Sequence, residues 1–199
     1  MVIFISGSKE FLKYRSAIIF TFTLISGLAT GSFMVFLSTS QHIFEVQYGL
    51  VDEFPYIFGA LAFSVGVATF TNGTLVVRFG MKRLVTIFSI LFSLTSLLYI
   101  SIFYGETNPS IGIFVLFLAL QFFSVGFLFG NVRSLAMQPL GHIAGIGAAI
   151  NGFVSTIMAV PIATFIGGFI ETTALPLFFG FAACGFGSLL LLLFVKKSA

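Results

Sequence analysis

Residues 73–83 read GTLVVRFGMKR. Arg78, Lys82 and Arg83 stand close together here, in a chain where only 8% of residues are charged. On either side the sequence is apolar, over 55–77 before the cluster and 84–104 after it. A helix needs about 20 residues to cross roughly 30 Å of hydrocarbon at about 1.5 Å per residue. Each flanking run meets that length, so the stretch reads as a short basic connection between two membrane spans.

The same reading extends along all 199 residues. Apolar segments at 16–38, 55–77, 84–104, 110–132, 141–168 and 175–195 predict an all-α membrane protein, a bundle of six transmembrane helices. Residues 1–15 are expected to form an N-terminal segment, 16–195 the bundle and 196–199 a tail. The composition agrees, with 58% hydrophobic residues and a mean hydropathy of +1.16. A soluble domain carries roughly 25% charged residues, so this chain lacks the means to build a water-facing surface. Phenylalanine supplies 29 residues and tryptophan none, a stock of rings suited to lipid-facing and interhelical surfaces. Cys184 is the one cysteine, so no internal disulfide forms, and its apolar setting reads as packing. Residues 1–8 are apolar but too short for a signal peptide, and positive charge follows them, so the first span is expected to act as its own insertion signal.

Proline placement supports the division. Pro55, Pro109, Pro139 and Pro176 fall at or just before predicted helix starts, where a missing N–H has no partner to lose. Pro161 lies inside the long fifth segment and is expected to kink it.

The charges sort by side. Lys9, Lys13, Arg15, Arg78, Lys82, Arg83, Arg133, Lys196 and Lys197 are all nine basic residues, and a six-span chain places every one on the same face. The first, third and fifth connections hold Glu45, Asp52, Glu53, Glu106 and Glu171 without a Lys or Arg. The positive-inside rule then predicts both termini in the cytoplasm, in a multi-pass protein of the cell inner membrane. The net charge of +3 thus reflects orientation and gives no reason to expect nucleic acid as a partner. No charged residue lies deep in a span, so a buried proton-carrying carboxylate is missing. His142 opens the fifth span and His42 lies in the first outer connection, positions that suit interfacial or capping groups.

Uncharged polar residues divide into two kinds. Thr86, Ser89, Ser93, Thr95, Ser96 and Ser101 make the third span hydroxyl-rich, and such groups can bond their own helix. The sixth has almost none beyond Ser188, which suits a helix largely facing lipid. Amides need a neighbour. At about 100° per residue, Gln121, Ser124, Leu128 and Asn131 share one strip of span four. Ala144, Gly147, Ala148, Asn151 and Ser155 share another on span five, and Asn72 lies on span two. Gln121, Ser124, Asn131, Asn151 and Ser155 are therefore candidates either for lining a substrate cavity or for joining helices. Small residues recur at close-packing spacings: Gly27 and Gly31, Gly126 and Gly130, Gly141 and Gly145, and Gly59, Gly66 and Gly73.

Residues 73–83, with Gly73, Arg78, Gly80, Lys82 and Arg83, resemble the cytoplasmic loop motif of the major facilitator superfamily. Val77 stands where the strong copy of that motif has an acidic residue, which matches the weaker copy between the eighth and ninth helices. Residues 129–153, FGNVRSLAMQPLGHIAGIGAAINGF, resemble the tenth-to-eleventh helix region of Bcr/CflA-type drug/proton antiporters, and Ser38 to Gly49 resemble that group's seventh-helix exit. The resemblance implies helices seven to twelve of a twelve-helix carrier, half of a major facilitator fold built as a 3+3 inverted repeat, with substrate between the halves and the third and sixth helices peripheral. It implies efflux of small amphipathic compounds driven by a proton gradient, with no bound cofactor. In that group the carboxylates proposed for coupling lie mainly in the other half.

Three classes of function follow. A half-carrier would work in the lipid bilayer with an N-terminal six-helix half or a second copy. A non-transporting remnant or accessory subunit would keep the fold alone. An intramembrane enzyme is disfavoured, because no Ser/His, Cys/His, paired-carboxylate or metal-ligating pattern converges.

Overall fold

The structure, a computed structural model, describes residues 2–105 and 107–197, with side chains described over 16–194 apart from Glu106 and His142. Helix α1 is Val2–Gln41 and widens into a π-helical stretch, His42–Gln47. Helices α2 (Phe54–Phe79), α3 (Met81–Phe103), α4 (Ile111–Met137), α5 (Ala144–Gly167) and α6 (Leu175–Lys197) follow. Among the described residues, six helices are thus long and apolar enough to cross a membrane. The ends of α2, α3, α5 and α6 fall close to the predicted spans, because proline and glycine punctuate the sequence there, whereas α1 begins at Val2 and its helical stretch runs to Gln47, well outside the expected 16–38, and α4 continues past the expected 132 to Met137. Pro55 and Pro176 sit in the first turns of α2 and α6, and Ser110 after Pro109 is the N-cap of α4. Pro139 instead belongs to a 3₁₀ turn, Gln138–Ile143, that links α4 to α5. Leu140 in that turn is non-helical at φ −105°, ψ 22°, and α5 continues as helix through Pro161, the residue expected to kink it.

The packing has an internal symmetry. Helix α1 packs on α4, α5 and α6; α4 packs on α1, α2 and α3; and α3 packs on α6. So α1, α4, α3 and α6 close a ring, with α5 laid against α1 and α2 against α4. Replacing each helix by the one three places along leaves this set of main contacts unchanged. Three spans is an odd number, so the second triplet enters the bilayer from the opposite side. The bundle is therefore two inverted three-helix repeats that exchange their middle helices.

Glycine spacing explains the two outer seams. A Cβ on Gly27 would stand 2.4 Å from the Met158 sulfur, and one on Gly31 would stand 2.8 Å from Ile162 Cδ1, so the first glycine pair seats α5 on α1. A Cβ on Gly126 would stand 2.6 Å from Ala68 Cβ and 2.8 Å from the Val65 carbonyl, which seats α2 on α4. Close backbone approach of this kind is what holds helices together where lipid offers no hydrophobic contrast. Gly59, Gly66, Gly73, Gly141 and Gly145 face open space instead.

Aromatic rings fill the ring of four helices. Phe36, Phe92, Tyr99, Phe114, Phe122, Phe178 and Phe181 are buried in one cluster that reaches the acidic end of the bundle. Tyr99 stacks on Phe178 at 3.6 Å and joins α3 to α6. Phe22, Ile25, Val85, Leu128 and Val132 pack nearer the basic end. This packing distributes burial unevenly. The apolar windows of α3 and α6 are 50% and 44% buried, against 11% for α2 and 22% for α5. The third and sixth helices hold each other, whereas the second and fifth each lean on one neighbour.

Candidate functional site

The five polar candidates all lie inside the bundle, and the structure gives each a protein partner. Gln121 on α4 is fully buried and donates from Nε2 to Ser96 Oγ at 2.6 Å and to the Phe92 carbonyl at 3.2 Å, both on α3. Ser124 donates to the Leu120 carbonyl of its own helix at 3.0 Å. Asn131 donates to Asn72 Oδ1 on α2 at 2.7 Å and to the Phe127 carbonyl at 2.9 Å, and Asn72 donates back at 3.4 Å. Asn151 on α5 meets two α1 hydroxyls, donating to Thr23 Oγ1 and accepting from Ser26 Oγ, each at 3.2 Å. Ser155 donates to Ser26 Oγ at 3.0 Å. The strip on α4 thus divides between two neighbours, with Gln121 bound to α3 and Asn131 to α2. On α5 only Asn151 and Ser155 of the strip meet α1, while Ala144 and Ala148 are exposed and Gly147 lies against Leu140. Each outer seam carries an amide set beside its glycines, so geometry and hydrogen bonding fix the same register.

Hydroxyls on α3 behave as their chemistry predicts. Thr86, Ser93, Ser96 and Ser101 bond carbonyls four residues back in the helix. Ser89 does not. It is fully buried, its Oγ has no partner, and it lines a cavity of about 10 Å³ with Ser32, Cys184 and Ser188 at the centre of the four-helix ring.

The basic cluster is an elbow and not a loop. Gly80 alone separates α2 from α3, at φ 77° and ψ 152°, in the left-handed half of backbone space that side chains resist. Arg78 lies in the last turn of α2, where the helix dipole favours a cation. Arg78 and Arg83 stand 5.4 and 5.7 Å from the centre of the Phe79 ring, so one aromatic gathers charge from both helices. Arg133 similarly lies 5.6 Å from the Phe129 ring. Gly73, by contrast, sits mid-helix on the open side of α2, away from the elbow.

At the opposite end, three connections are tied together by amides. Asn108 donates to Gln47 Oε1 at 2.8 Å and accepts from the Ala174 N–H at 2.8 Å. Gln47 Nε2 donates to the Glu171 carbonyl at 3.3 Å, and His42 Nε2 lies 3.1 Å from the same oxygen. An open depression of about 430 Å³ lies over this clamp, lined by Gln47, Tyr48, Asn108, Ser110 and Thr172. Burial pushes the Tyr48 phenol up from its ordinary range. Sequence reasoning missed the clamp because Gln47 and Asn108 are distant along the chain and neither was singled out as a polar candidate. The side chain of His142 and the whole of Glu106 lie outside the described residues.

The remaining chemistry lies on what the bundle leaves uncovered. The outward strip of α2 carries exposed Tyr56, Phe63, Phe70 and Val77. That of α5 carries exposed Gly145, Ala149, Gly152 and Thr156. No family model matches this chain, and no curated protein or solved structure matches it, so the case for its function rests on these residues and their arrangement.

Proposed function

We propose that this chain is half of a secondary active transporter of the major facilitator type, one that takes part in proton-coupled efflux of small amphipathic compounds across the cell inner membrane. On this reading both termini are cytoplasmic, the work is carriage without covalent chemistry, and a second six-helix unit completes the path. The observation that carries the reading is the exchanged 3+3 packing, which leaves α2 and α5 each leaning on a single neighbour. A bundle built to stand alone in lipid gains nothing from two helices with so little buried surface. A bundle built to face another across a cavity needs such helices. Secondary transporters bind substrate near the midplane between related repeats or bundles.

Asn131 and Asn151 lie on the seams of the two movable outer helices, and a shift of α2 or α5 would turn them toward substrate. Gln121, Ser124 and Ser155 would then hold the frame. Arg78, Lys82 and Arg83 at the Gly80 elbow would meet acidic groups or helix C-termini of the opposite unit in one state.

The reading is tested by expressing the chain with and without a candidate N-terminal half and measuring drug susceptibility and substrate export. Export should require both. Purified alone in liposomes, the chain should not exchange protons for substrate, since Glu45 lies in the last turn of the first span, Asp52, Glu53 and Glu171 lie in connections, and Asn72, Gln121, Asn131 and Asn151 carry no titratable proton. Substrate uptake driven by a pH gradient through this chain alone would overturn the assignment. The second reading, an accessory or non-transporting subunit, draws on one observation: all five polar candidates are already bonded within the bundle. Loss of export from the pair on Arg78→Gln, with topology intact, would count against it.

A further inference from the structure

Arg133 stands further inside its helix than any other cation with a described side chain. Helix α4 continues to Met137, about 6 Å beyond it, whereas Arg78, Lys82 and Arg83 lie within a turn of the Gly80 elbow. A charge within a span is costly in lipid and persists where it faces an opposite charge or a watered cavity. Arg133 is exposed and has no ion pair among the described residues. The described acidic side chains, Glu45, Asp52, Glu53 and Glu171, lie at the other end of the bundle, roughly 30 Å away along α4. The guanidinium is therefore a positive point on an otherwise neutral surface, left without its counter-charge.

That surface is the face that α1 and α4 share between the two outer helices, since α5 lies on α1 and α2 on α4. At about 100° per residue, Phe129 and Gly130 flank Arg133 on α4. The Phe129 ring lies 5.6 Å from the guanidinium. Gly130 is exposed, and a Cβ there would meet nothing nearer than Asn72 Nδ2 at 3.9 Å. That nitrogen carries two N–H groups and gives one to Asn131, at a long 3.4 Å. Phe129 meets Phe33 of α1 edge-on at 5.5 Å, so half-buried rings run from the cation toward the middle of the bundle. Leu37 is exposed further along the same strip of α1, and the Thr30 hydroxyl is buried in it without a partner. A cation with a spare donor beside it, at one end of an apolar aromatic strip, complements a molecule with an anionic head and a ring. Arginine suits such a head, because its fork of N–H groups matches two oxygens of a carboxylate or sulfonate.

We propose that this wall binds organic anions, with the oxyanion of an amphipathic compound on Arg133 and Asn72 and its aromatic body on Phe129 and Phe33. The inference rests on the half-carrier reading and narrows its substrate class, from amphipathic compounds in general to those that carry a negative charge. Arg133 lies toward the basic end of the bundle, the side from which an exported compound would arrive.

The test is equilibrium dialysis of the purified chain, in phosphatidylcholine nanodiscs, against two probes of one shape, naphthalene-2-sulfonate and 2-naphthyltrimethylammonium. The sulfonate should bind saturably and about tenfold or more tighter than the cation. Arg133→Gln should lose that difference, Arg133→Lys should keep part of it, and Arg133→Glu should reverse it. The residue is exposed, so thermal unfolding should stay unchanged in all three. Lys197→Gln, which removes a cation from the end of α6, should bind as the unaltered chain does. No saturable sulfonate binding, or a preference that survives Arg133→Gln, overturns the proposal. Phosphatidylglycerol held by the purified chain in native mass spectrometry and released by Arg133→Gln also overturns it, because the site would then belong to a lipid headgroup. Export of cationic and neutral drugs by the chain with its N-terminal half, undiminished by Arg133→Gln, removes the anion assignment and leaves the carrier reading. A chain that binds the sulfonate as expected but exports nothing beside any such half loses the carrier reading and keeps the site.

Discussion

Single atoms decide whether the outer helices stay attached. Gly126 has no room for a side chain, with the Val65 carbonyl and the Ala68 methyl both under 3 Å from where its Cβ would lie. Gly126→Val should therefore lower thermal stability in detergent by about 1–3 kcal/mol, the range for overpacking a closed site. Gly66→Ala, on the open side of the partner helix, should stay within about 0.5 kcal/mol. Asn151→Leu leaves Thr23 and Ser26 short of a partner and should weaken the α1–α5 seam by about 0.6–1.7 kcal/mol, as measured interhelical hydrogen bonds in membranes do. Ser89 inverts the sign. Its buried hydroxyl is unpaired, so Ser89→Ala should hold or raise the unfolding temperature, and a clear fall would show that the hydroxyl has found a partner in the cavity.

At the scale of helices, the Gly80 elbow sends α2 and α3 apart instead of side by side. They share little packing despite a one-residue connection, and α2 crosses to α4. At φ 77° and ψ 152° the backbone suits glycine almost alone, so Gly80→Ala should destabilise by roughly 1–3 kcal/mol. The unfolding midpoint reads that loss, and a neutral result would mean that the elbow relaxes without strain. Helix number, extent and the basic connection were all legible in the chain, because long apolar runs and punctuating Pro and Gly are local signals. The glycines Gly27, Gly31 and Gly126 were also legible as close-packing positions, whereas Gly130, at the same spacing, has room for a side chain. What stayed hidden was who meets whom. Periodicity groups Gln121 with Asn131 on α4, yet it does not say that α3 takes the first and α2 the second. Nor does the polar content of a helix say which of its sides is covered: α6 has almost no hydrogen-bonding side chains, and it buries Phe178 and Phe181 while leaving Phe179, Leu190 and Leu193 exposed. The hydroxyls of α3 were read correctly, since Ser93 and Ser96 close their bonds on their own backbone.

For the whole molecule, the separation of charge gives an orientation that can be measured. Cysteines at Glu53 and Glu171 should react with impermeant reagents from outside intact cells, and one at Lys82 should react only after the membrane is opened. Labelling of Lys82 from outside would invert the assignment. The exchanged repeats carry a further consequence for how the chain is made. Helix α5 reaches the membrane when α1, which seats it, is already there. Helix α2 reaches it before α4 exists, and at about 5–20 residues per second the ribosome takes several seconds to supply that neighbour. In the interval Asn72 stands in lipid without Asn131, the amide that later answers it. The nascent chain therefore has a waiting period in which α2 is held by its flanking charge and hydrophobicity alone, and substitutions that slow the arrival of α4 should expose that helix to quality-control proteases before the mature bundle is ever formed.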